Sequence, residues 1–110
     1  MERFVKGDVI VLPFPFSDLS ASKKRPALVL ADLEGNDVVL CQITSEARFD
    51  KYSLKLKASD FKKGKLSVVS MIRPNKLFTA DIFTIHYKVG SLKIEKINKT
   101  IKTLIRLIRG

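Results

Sequence analysis

The apolar residues of this chain change their spacing once, at Leu92, and this change constrains the fold more than any other feature. From there to Gly110 they recur at steps of three, four or one, which places them on one side of a helix. The members of this stripe are Ile94, Ile97, Ile101, Leu104, Ile105 and Ile108. Before Leu92 the apolar runs are short and are separated by turn-forming residues, a pattern typical of strands. The sequence therefore predicts a mainly β fold that ends in one amphipathic α-helix.

The apolar stripe of this helix has two alternative uses. A stripe flanked by Lys and Arg residues is typical of a helix that covers a sheet. The same pattern occurs in helices that lie on a membrane surface. Because several short strands need a cover, we expect the stripe to pack on the core, and we expect no membrane partner.

Five segments before the helix have the composition of β-strands. They cover residues 9–12, 27–31, 38–44, 53–57 and 67–72. Gly35 and Asn36 form a turn signal between the second and third segments, which are therefore predicted to pair as a hairpin. Residues 13–16 and the sequence Arg73-Pro74-Asn75 are expected to end the first and last segments, because proline cannot donate a ladder hydrogen bond.

A polar loop gives way to an apolar strand at Lys23-Lys24-Arg25-Pro26, and this junction is our candidate site. Pro26 restricts the backbone of Arg25 to β or polyproline geometry, so the guanidinium extends from a stiff anchor. Arginine can donate to two phosphate oxygens at once, whereas Lys23 and Lys24 act as mobile point charges. A solvated basic turn before a core strand is the alternative interpretation.

Other candidate residues also fall at predicted strand ends. Thr44 and Ser45 close the third segment, and a second Arg-Pro pair at Arg73 has Lys76 nearby. We expect the two basic strand ends to converge on one groove. Phe16 lies in an extended, proline-rich segment, where its ring either stacks on bases or caps the core.

The length of 110 residues suits one domain that spans residues 1–110. The chain has 21 Lys and Arg residues against 11 Asp and Glu residues, and its formal net charge is +10. This charge favours a polyanionic partner such as nucleic acid, although an acidic protein segment or an anionic membrane surface would be attracted by the same field. The N-terminus is a poor export signal and a single cysteine cannot form an internal disulfide, so we expect a cytoplasmic protein.

The sequence contains no motif for phosphate-loop, zinc or serine-hydrolase chemistry, so we expect no cofactor and no metal. The lone histidine, His86, is more often structural than catalytic, and alternation makes Cys41 a small buried hydrophobe. RNA is a substrate that such a protein can cleave without a metal, because the ribose 2′-hydroxyl is the nucleophile. Arg25 and Thr44 would then position the phosphate and stabilise its added charge.

Several segments, in this order, resemble the MazF/PemK toxins of type II toxin–antitoxin systems. The segments are Gly7-Asp8-Val9-Ile10-Val11, Phe14-Pro15-Phe16, Lys24-Arg25-Pro26-Ala27-Leu28-Val29-Leu30 and Cys41-Gln42-Ile43-Thr44-Ser45. Residues 70–81 and the segment Val89-Gly90-Ser91-Leu92 look similar too. The resemblance spans nearly the whole chain, although the helix is generic and Lys93 stands where many members have a serine cap.

This resemblance implies a small SH3-like barrel with a C-terminal helix, a homodimer, and a metal-independent, sequence-selective endoribonuclease acting on single-stranded RNA. It implies that Arg25 is a general acid/base and phosphate clamp, that Thr44 stabilises the phosphorane, and that Ser70 lies near the substrate. We predict RNA contacts from Phe16, Lys24, Ser45, Ser70, Arg73 and Lys76. Toxins of this family are neutralised by a cognate antitoxin whose acidic, apolar tail occupies the RNA groove, in agreement with the charge of +10.

Two other functions suit the same fold. One is a barrel that binds RNA or an antitoxin without cleaving, and the other is a toxin that poisons a topoisomerase, as a related branch does. The presence of Arg25 together with Thr44 favours the ribonuclease, because neither alternative needs that pair.

Overall fold

The computed structural model describes residues 3–14, 23–46 and 50–110 of the chain. The described residues form seven strands: β1 (Asp8–Pro13), β2 (Lys24–Asp32), β3 (Asp37–Thr44), β4 (Leu54–Leu56), β5 (Phe61–Gly64), β6 (Ser70–Asp81) and β7 (Tyr87–Leu92). The helix α1 (Ile94–Arg109) follows the last strand, and two short 3-10 turns cover Ala58–Asp60 and Ile82–Thr84. The predicted mainly β fold with a C-terminal amphipathic helix is confirmed.

The strands form one antiparallel sheet that curls into a half-barrel. Their order is β4-β6-β3-β2-β1-β7-β5. Although β4 and β5 lie at opposite edges of the sheet, only residues 57–60 join them along the chain. Seven strands in a flat sheet would be roughly 29 Å across, whereas the five steps from Leu56 to Phe61 span at most about 18 Å. The sheet must therefore curl until its edges approach each other, as the expected SH3-like barrel requires.

Side chains alternate between the two faces of the sheet, and each face has its own core. The helix-side core contains Val9, Leu28, Leu30, Cys41, Ile43, Leu56, Phe61, Ile72, Leu92 and Ile97. The opposite core contains Phe4, Ile10, Leu12, Phe14, Ala27, Val29, Val38 and Leu40. Cys41 is fully buried, and this burial raises the pKa of its thiol to about 12, so its interpretation as a small buried hydrophobe is confirmed.

Helix α1 covers the sheet with only part of its apolar stripe. Ile97 is buried, and Ile101 and Leu104 are half-buried against the helix-side core. The exposed members of the stripe are Ile94 (60 %), Ile105 (46 %) and Ile108 (70 %). The prediction that the stripe packs on the core is therefore right for Ile97, Ile101 and Leu104 and wrong for Ile94, Ile105 and Ile108. In the part of the chain that the structure describes, no helix is long and apolar enough to cross a membrane.

The strand that begins at Ser70 does not end at Arg73-Pro74-Asn75, as the sequence predicts, but continues to Asp81. Its ladder with β3 shifts at this point, because Gln42 pairs with Arg73 while the preceding Cys41 pairs with Leu77. Residues 74–76 therefore bulge out of the ladder, which accommodates a proline that cannot donate a hydrogen bond. The interruption is where the sequence predicts it, and the strand resumes after it.

Two strands were not predicted, because both are specified by their partners in the sheet. Strand β5 lies between the predicted segments 53–57 and 67–72, and β7 precedes the helix. They pair with each other through Phe61 and Leu92 and through Gly64 and Gly90. A Cβ on Gly90 would collide with the backbone of Lys63 and Gly64, so the close approach of these strands requires glycine.

Candidate functional site

Arg25 and Thr44 lie at the same edge of the sheet, on neighbouring strands. Arg25 is the second residue of β2, and Thr44 is the last residue of β3. The ladder between these antiparallel strands pairs Ala27 with Gln42, and continuing the register by two residues aligns Arg25 with Thr44. Both side chains belong to the face of the opposite core, because Ala27 is a member of that core. We call Arg25, Thr44 and this edge of the sheet the strand-end site.

The guanidinium of Arg25 is available to a ligand. Arg25 is half-buried and lies opposite Leu12 on β1, so apolar packing supports its aliphatic stem. Within the described ranges, the guanidinium has no hydrogen bond and no ion pair. Its five donors can therefore bind the oxygens of a phosphate group in the bidentate manner that arginine favours.

Thr44 is held in one orientation by the chain that follows it. Its side-chain oxygen accepts a hydrogen bond of 3.2 Å from the backbone N–H of Glu46. This contact uses the hydroxyl as an acceptor and leaves its own hydrogen for donation. Thr44 is only 3 % exposed, so its hydroxyl lies in a largely desolvated position, where a hydrogen bond donated to an anion is stronger than in water.

Arg73 lies on the same face as the strand-end site but is engaged in internal contacts. Register places Ala27, Gln42 and Arg73 side by side on three strands, in the row next to Arg25 and Thr44. The Arg73 side chain is 9 % exposed, and one terminal nitrogen lies 3.7 Å from the carboxylate of Asp50. The other terminal nitrogen donates to the side-chain oxygen of Gln42 at 3.5 Å, and Nε is buried without a partner.

Asp50 connects this arginine to the turn that precedes β4. Its Oδ1 accepts hydrogen bonds from the backbone N–H groups of Tyr52 at 2.9 Å and Ser53 at 2.8 Å. Burial acts to raise the pKa of Asp50, but the hydrogen bonds from Ser53 and Tyr52 and the charge of Arg73 outweigh it, so the pKa lies below its usual value. The geometry therefore gives Arg73 a partner within the fold before any ligand arrives.

The two predicted serines lie apart from the strand-end site or at its rim. Ser70 pairs with Leu56, a member of the helix-side core, and therefore lies on the other face of the sheet. It is 2 % exposed, and its hydroxyl donates to the carbonyl oxygen of Val68 at 3.0 Å. The structure does not bring Ser70 together with Arg25 and Thr44. Ser45 follows Thr44 directly and is exposed.

The remaining predicted contacts have different positions. Lys24 is exposed and pairs with Pro13, so alternation places it on the helix side of the sheet, away from Arg25. Lys76 is exposed within the bulge of β6. Phe16 lies outside the described residues. In the described ranges, no group of three or more His, Cys, Asp or Glu side chains could hold a metal ion.

The family of this chain is shown by its sequence. Residues 5–108 match the model of the family described as the PemK-like, MazF-like toxin of type II toxin–antitoxin system. The chain belongs to the PemK/MazF toxin family. The predicted family is therefore confirmed, and the chain is a toxin of a type II toxin–antitoxin system. No curated protein matches the sequence significantly.

Solved structures of the PemK/MazF fold superpose on almost the entire chain. MazF from Deinococcus radiodurans has 19 % sequence identity and a TM-score of 0.76, and the match covers 96 % of each chain. An endoribonuclease from a mycobacterial species, solved in complex with its cognate antitoxin, has 14 % identity and a TM-score of 0.76 over 96 % of this chain and 95 % of that one. The Mycobacterium tuberculosis toxin MazF-mt6 has 14 % identity and a TM-score of 0.73 over 93 % of this chain and 96 % of that one. At these identities the likeness concerns the fold.

Gln42 is the residue of the toxin's strand-end site that the sequence-based prediction omitted. It lies between Ala27 and Arg73 and accepts the hydrogen bond from Arg73. Alternation along β3 already places Gln42 on the same face as Thr44, so the signal was present in the sequence. The sequence did not indicate that Gln42 has an arginine partner, because Arg73 lies 31 positions further along the chain, on another strand.

Proposed function

We propose that this toxin is an endoribonuclease that cleaves single-stranded RNA without a metal ion. The observation that carries the proposal is the alignment of a free guanidinium, Arg25, with an oriented hydroxyl, Thr44, on one face of the sheet. Membership of the PemK/MazF family and the likeness of the fold to a mycobacterial endoribonuclease support it. The net charge of +10 supports a polyanionic substrate.

The proposed reaction uses the nucleophile that RNA itself carries. The 2′-oxygen forms a bond to phosphorus and the bond from phosphorus to the 5′-oxygen breaks, which yields a 2′,3′-cyclic phosphate and a 5′-hydroxyl. One proton leaves the 2′-hydroxyl and one is added to the 5′-oxygen. A guanidinium keeps its proton near neutral pH, so we assign Arg25 to the phosphate oxygens as a clamp and donor. The Thr44 hydroxyl donates to the negative charge that develops on those oxygens in the transition state.

The test is cleavage of a long RNA by purified, folded and antitoxin-free toxin in the presence of EDTA. We expect discrete cuts. Arg25→Ala should abolish them while RNA binding persists, and Arg25→Lys should leave only partial activity, because lysine keeps the charge without the planar fork. Lys102→Ala is the matched control, since Lys102 is exposed on α1 and its loss removes one charge outside the strand-end site. Intact RNA from folded wild-type toxin would refute the nuclease, and activity that EDTA abolishes and Mg²⁺ restores would refute metal independence.

The same experiment separates the alternative functions. A non-catalytic barrel would bind RNA and leave it intact. A topoisomerase poison would leave RNA intact and would increase covalent topoisomerase–DNA complexes. Both outcomes contradict the proposal.

We also propose a homodimer and a cognate acidic antitoxin as partners. The exposed members of the α1 stripe support the first, because Ile94, Ile105 and Ile108 are too exposed for an apolar surface that meets only water. Sedimentation velocity tests this, and we expect Ile105→Glu to shift the dimer toward monomer. A dimer unchanged by that substitution would require a different interface. The positive charge supports the antitoxin, and a related mycobacterial endoribonuclease has been solved with its cognate antitoxin.

A further inference from the structure

A groove lies on the helix side of the sheet, at the strand end that also carries Arg25. Its volume is about 370 Å³, within the range of pockets that hold small organic groups. It is lined by Val11, Lys24, Pro26, Lys65, Leu66 and Tyr87, among others. We call it the Tyr87 groove. Because successive side chains of β2 point to opposite faces, Arg25 and the groove residues Lys24 and Pro26 are immediate neighbours along one strand.

The position of Tyr87 in the groove is determined by strand register. Pro26 pairs with Val11, and Val11 pairs with Tyr87, so these three residues form one row across β2, β1 and β7. Strands two apart in a sheet are separated by about 10 Å. The Tyr87 ring therefore stands at one wall of the groove and β2 at the other, with apolar side chains between them. Tyr87 is 51 % exposed, so about half of its surface is accessible to a ligand.

The charged residues that the structure describes in the groove are both positive. Lys24 and Lys65 are exposed, and the described lining residues include no aspartate or glutamate. Within the part of the chain that the structure describes, neither lysine forms an ion pair. Unpaired lysines beside an open aromatic ring are the combination with which proteins bind single-stranded nucleic acid, since the ring stacks on a base and the lysines contact phosphates.

We infer that the Tyr87 groove binds a nucleotide of the RNA strand that flanks the scissile phosphate. The base stacks on the ring of Tyr87, and Lys24 and Lys65 contact the adjoining phosphates. This inference rests on the proposed function, because it extends the substrate of the strand-end site by one further contact. An acidic peptide would be attracted by the same lysines, and the test separates the two ligands.

The experiment measures the affinity for a mixed-sequence, 2′-O-methylated RNA of about 12 nucleotides, which cannot be cleaved because its 2′-oxygen is blocked. Fluorescence anisotropy gives Kd for the wild type and for Tyr87→Ala, Tyr87→Phe, Lys65→Ala and Lys102→Ala. We expect Tyr87→Ala to weaken binding about tenfold, as the loss of one base stacked on an aromatic ring does. Tyr87→Phe keeps the ring and should stay within about twofold of the wild type. Lys65→Ala should weaken binding more than Lys102→Ala, which removes the same charge outside the groove.

Three results would overturn the inference. They are an unchanged Kd for Tyr87→Ala, equal effects of the two lysine substitutions, and a loss of affinity for a peptide of alternating Glu and Leu in Tyr87→Ala without any loss for RNA. The fate of the proposed nuclease is independent of these outcomes. If the wild type cuts no RNA but its RNA binding depends on Tyr87, the proposed nuclease is refuted and the inference about the Tyr87 groove stands. If the wild type cuts RNA and Tyr87→Ala changes neither cleavage nor binding, the nuclease stands and the inference is refuted.

Discussion

The ion pair between Asp50 and Arg73 makes a quantitative prediction about stability, tested by the substitution Asp50→Asn. Asparagine keeps a side-chain oxygen that can accept the two backbone hydrogen bonds from Tyr52 and Ser53. It removes the negative charge beside a guanidinium that is only 9 % exposed. The substitution therefore isolates the electrostatic part of the contact.

The expected loss lies between two limits. Exposed ion pairs contribute about 0 to 1 kcal/mol, whereas removing one partner of a fully buried pair costs about 3 to 5 kcal/mol. Here the separation is 3.7 Å and the Asp50 side chain is 29 % exposed, so we expect an intermediate value. We predict a decrease of about 2 kcal/mol in the free energy of unfolding for Asp50→Asn. Asp50→Ala also loses both hydrogen bonds, at about 1 kcal/mol each, and should cost about 4 kcal/mol.

The assay is urea unfolding of the wild type and the variants between pH 7 and pH 3. Because the folded-state pKa of Asp50 is lowered, its ionised form stabilises the fold above the unfolded pKa of about 4. This contribution is lost as the pH falls through the lower, folded-state pKa. The difference between wild type and Asp50→Asn should therefore be full at pH 7 and should shrink below pH 4.

Two results would refute this reasoning. One is equal stability of the wild type and Asp50→Asn at pH 7, and the other is a difference that stays constant down to pH 3. The double variant of Asp50→Asn with Arg73→Met should lose less free energy of unfolding than the two single variants together. The reason is that each single change leaves one residue of the pair without its partner. If Arg73→Met instead weakens RNA binding strongly and leaves stability unchanged, Arg73 is primarily an RNA ligand.

Three further predictions concern other parts of the fold. Thr44→Val should slow RNA cleavage at least tenfold with little loss of binding, because the hydroxyl acts on transition-state charge, whereas Thr44→Ser should retain activity; unchanged turnover in Thr44→Val would mean that another group donates. Gly90→Ala should lower the free energy of unfolding by about 2 kcal/mol, since its Cβ would meet the carbonyl of Lys63, and Ser91→Ala on the same strand is the control in the same urea titration. Cys41 should resist thiol reagents at pH 8 and react in urea, because its pKa of about 12 keeps the buried thiol protonated; rapid labelling of the native toxin would contradict this.

Much of the fold was predictable because it depends on local patterns. The helix, five of the seven strands and the buried position of Cys41 all follow from periodicity, and the predicted turn at Gly35 and Asn36 connects β2 to β3. The residues missed were those whose structure depends on distant partners. Strand β5 has a turn-like sequence with two lysines and a glycine, and it becomes a strand because β7 pairs with it.

The candidate site shows the same division. Sequence alone placed Arg25 and Thr44 at strand ends, and alternation assigned faces within each strand. It could not show that Ser70 lies on the helix side, because its face is determined by its pairing with Leu56 on β4. Nor could it show that Arg73 has an internal partner, since the carboxylate of Asp50 is 23 positions away along the chain (73 − 50).

The sequence by itself determined the element types, the positive charge and the family, because these depend on composition, on spacing within short segments and on motifs. Only the tertiary structure decided which of two similar Arg-Pro arginines remains free for a ligand. Arg25 and Arg73 look alike in the sequence, yet within the described residues the guanidinium of Arg25 has no partner, whereas that of Arg73 meets a carboxylate. The physical reason is that strand order and register bring together groups that are remote in the chain, and electrostatic pairing depends on distance in space.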